Sequence, residues 1–241
     1  MAVESIQMGA GVLVLKDSNN NAYQCGTLQD VSIEFGSSTK ELRGANQFAE
    51  AIAIVDRKVS IKAKLGKVNG ALVAAICGGT TTAGAAYIQT DSKTFATSVT
   101  ITPPASGTFA TDLGVKDANG QPMKYNSGTV AVGEYKNTAG VYTFAAGQSG
   151  TGQVSYVYTV STGETVAMTN QLQGLVTPFT VYAYNAFTNP DGAVRKLCFK
   201  FYSAVSGSIN FPMKAGDFLM QDISLECSAD STGKVADVYF G

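Results

Sequence analysis

Two stretches of the chain, Leu28–Phe35 and Lys58–Leu65, alternate between polar and apolar residues, and this pattern constrains the fold more than any other feature. Because successive side chains of a β-strand point to opposite faces, a period of two predicts strands that are buried on one face only. The polar positions of the first stretch include acids, and those of the second include lysines. Opposite charges across an antiparallel ladder contribute about 0.2–1 kcal/mol per pair, so we expect the two strands to pair.

The same period recurs along most of the chain and predicts a mainly β fold. Further strands are expected at Val12–Leu15, Ser98–Thr102, Thr129–Tyr135, Val141–Ala145, Gln153–Val160, Leu175–Tyr184, Arg195–Tyr202, Asp217–Ser228 and Val235–Phe240. Asp191–Gly192 predicts a hairpin turn. One short α-helix is expected, because Asn69 can cap its first turn and Gly78–Gly79 can end it.

The composition changes near Thr80, where a stretch rich in Thr, Gly and Ala begins and continues to about Gly163. Stronger strand patterns lie on both sides of this stretch. The sequence therefore predicts a β core formed by residues 1–79 and 164–241, with residues 80–163 as an inserted or additional β-rich region.

The segment Gly36–Arg57 joins the two alternating strands and is too long for a hairpin turn, so a long loop is expected there. It combines charged residues with apolar ones such as Leu42, Phe48 and Ile54. Connections of this length are usually functional or disordered, and the apolar content favours docking onto another surface.

The sequence lacks the residue patterns that many catalytic mechanisms require. Histidine is absent, which excludes Ser-His-Asp and Cys-His catalytic groups, imidazole bases and His-ligated metal sites. Cys25, Cys77, Cys198 and Cys227 are scattered without a C-x-x-C pair, which favours buried free thiols over a bridge between strands or subunits. Gly147–Gly152 lacks the lysine of a phosphate-binding loop. We therefore expect no catalysis, no cofactor and no metal.

Charge and hydropathy exclude two further classes. The 17 basic and 18 acidic residues give a net charge of −1, without the basic footprint of a nucleic-acid binder. No apolar run approaches the roughly 20 residues that cross a bilayer, and no secretory signal pattern is visible, so no membrane insertion by this chain is expected. Asp217, Asp222 and Glu226 form the densest late cluster of acids, and a solvated strand face is favoured over a catalytic pair.

Three consecutive segments resemble a tailed-bacteriophage tail tube protein, or major tail protein. They are Gly26–Phe35, Ser38–Ala49 with its K-E-L-x-G-x-x-Q-F pattern, and Arg57–Lys64, followed in order by the expected helix.

Later segments also resemble phage virion sequence. They are Gly140–Gly147, Val154–Thr159, and Asn170–Gly174 leading to Pro178 and Phe179. The similarity covers about residues 24–79 and 140–240 and leaves residues 80–139 unmatched.

The resemblance implies a tail-tube-type β-sandwich that contributes strands to an oligomeric β-barrel, with one short flanking α-helix, a long loop and an extra β insertion. Such subunits assemble as hexameric rings that stack into the hollow tail tube, through which phage DNA is delivered into the host. The chain would then belong to the virion and assemble in the cytoplasm of the host bacterium.

The resemblance also implies roles for two sets of residues. The polar face of the two alternating strands would line the channel, with Asp30, Ser32, Glu34, Lys58, Ser60, Lys62 and Lys64 facing the lumen. The segment Gly36–Arg57 would stack one ring on the next through Lys40, Glu41, Leu42, Arg43, Phe48, Ile52 and Ile54. The three lysines leave this lumen hairpin slightly basic, and acids on other strands, such as Asp222 and Glu226, are candidates to compensate.

The chain itself is the principal partner that the resemblance implies, with sheath, tape measure, baseplate and terminator proteins as further candidates. DNA would pass transiently and without specific binding. Alternatives are the inner tube of a contractile injection system, another phage structural protein such as a baseplate or decoration component, and a monomeric carbohydrate-binding β-sandwich. The last is disfavoured because tryptophan is absent and the 11 tyrosines are dispersed.

Overall fold

The computed structural model describes residues 11–43, 48–170, 177–188, 192 and 194–241. The model is 65% strand, and its described part holds one α-helix, so the expected mainly β fold is confirmed. The strands are β1 (Val12–Lys16), β2 (Ala22–Arg43), β3 (Ala49–Lys67), β4 (Thr80–Thr94), β5 (Ser98–Thr100), β6 (Thr108–Lys116), β7 (Lys124–Tyr125), β8 (Glu134–Thr138), β9 (Val141–Phe144), β10 (Thr151–Ala167), β11 (Phe179–Thr188), β12 (Val194–Asn210), β13 (Gln221–Ser228) and β14 (Ala236–Phe240). The helix α1 spans Gly70–Cys77.

Two compact units divide the chain. The first unit consists of residues 1–80 and 166–241, and the second of residues 81–165. Both boundaries fall inside strands, in β4 and in β10, which are neighbours in one sheet.

The first unit is a β-sandwich in which the long strands β2 and β12 belong to both layers. In the first layer, residues 22–25 of β2 pair with β1, β1 pairs with β11, and β11 pairs with residues 194–204 of β12, which also carry β14. In the second layer, residues 26–43 of β2 pair with β3, β3 pairs with β13, and β13 pairs with residues 203–210 of β12. The two layers therefore share one core.

Backbone irregularities mark the places where the long strands bend. Thr27 of β2 has a φ of 52°, in the left-handed region that a β-branched residue rarely adopts, and the register shifts between Leu28 and Asp30. In β12 the register shifts between Ser206 and Ser208. Bulges of this kind increase local twist and let a strand turn from one layer of a sandwich to the other.

The core of the first unit confirms the alternation read from the sequence. All four apolar residues of Lys58–Leu65 are buried, and the polar residues between them are exposed or half-buried. In the antiparallel β2–β3 ladder Ile33 lies opposite Ile61, as expected for two strands that share a core face. The buried cluster contains Leu13, Leu15, Cys25, Val59, Ile61, Ala63, Leu65, Leu72, Phe179, Val181, Ala183, Phe201, Ala204, Ile223 and Leu225.

The helix α1 begins and ends as the sequence predicts. The Asn69 side chain accepts a hydrogen bond from the Leu72 backbone N–H at 2.8 Å, which satisfies one of the free donors of the first turn. Gly78 adopts a φ of 68° at the C-terminal cap, where glycine avoids the steric cost of a Cβ. Leu72 is buried in the core of the sandwich and anchors the helix there.

The prediction of a long loop between the two alternating strands is wrong. β2 continues to Arg43 and β3 starts at Ala49, so residues 36–43 and 48–57 form a two-stranded extension that we call the hairpin arm. The register shifts at two points in the arm, between Ser38 and Thr39 and between Leu42 and Arg43. Each shift breaks the period-two alternation of side chains along the strand, so the sequence pattern does not indicate strands there. Residues 44–47 lie outside the described part.

Other boundaries also differ from expectation. The predicted strand Thr129–Tyr135 is mostly a turn, because the Asn126 side-chain amide donates hydrogen bonds to the Thr129 carbonyl and the Glu134 carboxylate. Strand β8 begins only at Glu134. The sequence reading missed β4 and β6, whose Thr, Gly and Ala residues give little apolar contrast. Asp191 of the predicted Asp191–Gly192 turn, the start of the Leu175–Tyr184 strand and most of Asn170–Gly174 lie outside the described residues.

The second unit has its own aromatic core between the sheets β4–β10–β6 and β5–β9–β8–β7. The Tyr135 and Tyr142 hydroxyls donate hydrogen bonds to the Asp112 carboxylate at 2.6 and 2.7 Å. The Tyr156 hydroxyl donates to Asp91 at 3.1 Å. These bonds satisfy the polar ends of large side chains whose rings are buried, which is the condition for tyrosine in a core.

Alkaline pH should destabilise the second unit. Burial and the Asp91 hydrogen bond raise the pKa of Tyr156 to about 12, from an ordinary value of 10.0. Because the folded pKa is higher than the unfolded one, the stabilisation is complete below pH 10 and is lost as the pH rises toward 12. We expect urea unfolding followed by tyrosine fluorescence to show a lower midpoint at pH 11 than at pH 8.

The variant Y156F should reduce this pH dependence, because it removes the titrating hydroxyl. Y125F is the matched control, since the Tyr125 side chain is 52% exposed. An equal pH dependence in Y156F and the wild type would contradict the assignment.

Candidate functional site

The outward side of the second layer is a continuous polar surface across four strands. Cross-strand register aligns its side chains in rows along β2, β3, β13 and β12. The rows are Asp30–Lys64–Asp222–Asn210, Ser32–Lys62–Ser224–Ser208 and Glu34–Ser60–Glu226, with Lys58 beyond the last. We call these twelve residues the polar face. All seven residues that the sequence assigned to a channel lining lie on it.

Opposite charges alternate across the polar face. Lys64 lies between Asp30 and Asp222 in register, and the Lys58 Nζ is 2.8 Å from a Glu226 carboxylate oxygen. Hydrogen bonding and the charge of Glu226 raise the pKa of Lys58 above its ordinary value. Exposed pairs of this kind contribute little to stability, because water and salt screen them. Their main effect is on the surface potential, because four carboxylates there face three ammonium groups.

The polar face is bounded by two strand edges that have no partner strand among the described residues. β2 pairs with β1 only through residues 22–25, which leaves its outer edge open beyond that point. β12 pairs with β11 only as far as residue 204, which leaves residues 205–210 open on that side. Unpaired N–H and C=O groups of an edge strand can pair with a strand of another chain.

The core is also incompletely covered beside the open β2 edge. Val31 and Ile33 point toward the core but are only half-buried, and Phe35 on the same face is 57% exposed. Val31 and Ile33 line a small groove together with Leu197 and Phe199. An added strand at this edge would cover these apolar side chains.

The hairpin arm exposes apolar side chains on a two-stranded ladder. Leu42, Phe48, Ile52 and Ile54 are 64%, 84%, 65% and 57% exposed. A two-stranded hairpin is marginally stable in water by itself. The register places Ile52 and Ile54 on one face of the arm and Leu42 on the other, so both faces expose apolar side chains that a partner surface can cover. Of the residues expected to stack rings, Glu41 accepts a hydrogen bond from the Arg43 Nε at 2.8 Å. The segment is exposed and extended as a hairpin rather than the expected loop, and its role in stacking stays a prediction.

Members of the polar face from β12 and β13 could be identified only in part from the sequence. Asp222, Ser224 and Glu226 alternate with Ile223 and Leu225, so their shared face was visible. Their place beside β3 was not, because strand pairing over a separation of more than 150 residues leaves no local pattern. Asp222 and Glu226, which the sequence named as counter-charges, lie next to the lysines.

Metal ligands and cysteine thiols are the two remaining kinds of reactive group to locate in the structure. The described residues contain no group of three or more acidic or cysteine side chains placed to hold a metal ion. Burial raises the pKa of Cys25 to about 12, and burial together with the Glu226 charge raises that of Cys227 to about 11, so both remain thiols at neutral pH. Among the helical residues described, no segment is both long and apolar enough to cross a membrane.

Adjacent residues of β3 offer a direct test of the two faces. Ile61 is fully buried and Lys62 is exposed, so I61A should lower the free energy of unfolding by about 2–5 kcal/mol. K62A should change it by no more than about 0.5 kcal/mol. Urea unfolding of the two variants measures both values, and a large loss in K62A would show that the face is misassigned.

Comparison of the chain with models of known protein families gives no match, and no curated protein matches its sequence.

Proposed function

We propose that the chain is a structural subunit of a phage tail tube, which assembles as hexameric rings stacked into a hollow conduit for DNA. The polar face is the observation that carries the proposal. It is continuous over four strands, nearly balanced in charge and bounded by open strand edges. The resemblance of Gly26–Phe35, Ser38–Ala49 and Arg57–Lys64 to tail tube proteins supplies the architecture.

The open edges support assembly into a ring. If the β2 edge of one copy paired with the β12 edge of the next, the four-stranded layers would join into one closed sheet, and closure removes exposed edges altogether. The half-buried Val31 and Ile33 beside the β2 edge would be covered at the same time. Both consequences favour association of copies over a solitary subunit.

The charge pattern supports passage of DNA rather than retention. Each phosphate that a protein neutralises adds about −0.9 to the slope of log affinity against log salt, and many such contacts would hold the DNA in place. On the polar face Lys64 lies between Asp30 and Asp222 and Lys58 pairs with Glu226, while the four carboxylates outnumber the three lysines. A wall with this pattern offers phosphates little net attraction.

The hairpin arm supports stacking. Its exposed apolar side chains need a covering surface, and a neighbouring ring would provide one. The chain would act in the virion and assemble in the host cytoplasm, with sheath, tape measure, baseplate and terminator proteins as candidate partners. The inner tube of a contractile injection system has the same requirements and differs in what surrounds the tube.

Electron microscopy and light scattering of the purified chain test the proposal. We expect rings with six times the 25.0 kDa chain mass, or hollow stacks of such rings. Replacing Thr39–Ile54 with an Asn-Gly turn should leave folded subunits or single rings and abolish long tubes, because the apolar arm is lost.

Point variants provide the matched control for the arm. I52S/I54S should shorten the tubes, whereas I88S/V132S should not, because Ile88 and Val132 are equally exposed but lie in the second unit. Tubes of normal length without the arm would refute its role in stacking.

The proposed lining predicts a gain of DNA binding when its acids are neutralised. Tubes of D30N/E34Q/D222N/E226Q would keep three uncompensated lysines per subunit, so they should retain DNA with an affinity that falls steeply with salt. Filter binding at about 50–300 mM salt, where contacts to phosphates weaken strongly, measures the slope of log affinity against log salt.

K58Q/K62Q/K64Q tubes are the control for the same surface and should retain no DNA. Wild-type tubes that bind DNA as tightly as the acid-neutralised variant would contradict the assignment of the polar face to the lumen.

A further inference from the structure

A groove of about 690 Å³ lies at the end of the β2–β3 ladder that is remote from the hairpin arm. One side is formed by Thr27 and Gln29 of β2 with Lys67 and Val68 near the end of β3, and the other by Phe218–Gln221, just before and at the start of β13. Phe218 is 86% exposed, and Leu219 is exposed as well. Exposed aromatic side chains at the side of a groove are typical of a docking surface.

Gln221 gives a second and independent sign. Its Oε1 atom is buried, and no described protein group donates a hydrogen bond to it. Buried acceptors are nearly always bonded in folded proteins. Gln221 lines the groove, and its amide would have to turn toward the groove for a donor on an incoming chain to reach this oxygen.

The groove and the arm occupy opposite ends of the same two strands. The ladder runs from the Gly26–Lys67 pair beside the groove to the Gly36–Lys58 pair where the arm begins. This separation is about 33 Å at the rise of an extended strand. A second copy displaced along the strand direction therefore brings its arm to the groove of the first.

The two surfaces have complementary charges as well as apolar side chains. On the arm, Lys40 and Glu50 form no ion pair with other described residues, and Lys67 and Asp217 beside the groove form none either. Each surface thus presents at least one cation and one anion that form no ion pair with other described residues, and at its base the arm also carries Asp56 and Arg57. Glu50 against Lys67 and Lys40 against Asp217 give two opposite-charge pairs around an apolar contact between Leu42 or Phe48 and Phe218.

We propose that this groove is the receiving site for the hairpin arm of a second copy. The inference rests on the proposed function in one respect, that copies of the chain associate, and it adds the surface that receives the arm. A contact between two different surfaces of identical chains closes into a ring only when each copy is rotated relative to the last, so an arm-to-groove contact repeated by displacement along the strand direction produces an open stack. Both the direction and the spacing of stacking then follow from the β2–β3 ladder.

Charge exchange between the arm and the groove tests the proposal. E50K and K67E should each reduce long assemblies at least tenfold in sedimentation and electron microscopy, and E50K/K67E should restore them. K116E is the control, since Lys116 is exposed and lies in the second unit. Single variants that assemble normally, or a double variant that assembles no better than either single one, would overturn the receiving site and leave the proposed function intact if the wild type forms tubes.

Cross-linking tests the contact even when assemblies are short-lived. Chains carrying E50C and chains carrying K67C, mixed under mild oxidation, should form a disulfide between residues 50 and 67 that mass spectrometry detects. Replacing K67C with K116C should give no such product. If the wild-type chain forms tubes but the mixture of variants gives no disulfide between residues 50 and 67, the groove is not the receiving site. A wild-type chain that forms no multimers at any concentration would overturn the proposed function as well.

Discussion

The antiparallel pairing of β2 with β3 is the interaction on which the rest of the first unit depends. It extends from Gly26–Lys67 to Arg43–Ala49, and different parts of it serve different purposes. Its middle directs the half-buried Ile33 and the buried Ile61 toward the core and presents the polar face on the other side. Its far end continues as the hairpin arm. Because side chains alternate strictly, a slip of one residue would turn the lysines into the core.

The bends in the two long strands explain why this ladder can have an exposed polar face and open edges at once. β2 and β12 pair with the first layer over part of their length and with the second over the rest. Where each strand leaves one layer, it gives up its partner on that side. The edges of the second layer are open for this reason, and both flank the polar face. A subunit built in this way is suited to edge-to-edge association.

The second unit depends on different physics. Its core is rich in tyrosines whose hydroxyls reach Asp112 and Asp91, so polar bonding accompanies aromatic packing. Nothing in the Thr/Gly/Ala-rich sequence made β4 or β6 predictable, since alternation between small residues carries little hydrophobic contrast. The core of the first unit, rich in Ile, Leu and Val on strands with charged outer faces, was far easier to predict. The contrast follows from how strongly each strand distinguishes its two faces.

The sequence by itself determined the β class, the faces of Leu28–Phe35 and Lys58–Leu65, and the caps of α1 at Asn69 and Gly78. Each depends on residues within a few positions of one another, through strand alternation or a single turn of helix. Tertiary structure decided that Asp222 and Glu226 lie beside Lys64 and Lys58, that Gly36–Arg57 is a hairpin arm, and that Gln221 and Phe218 meet Lys67 at one groove. Those outcomes depend on which distant strands pair and where bulges shift the register. Both are set by the packing of the whole core, which no local pattern encodes.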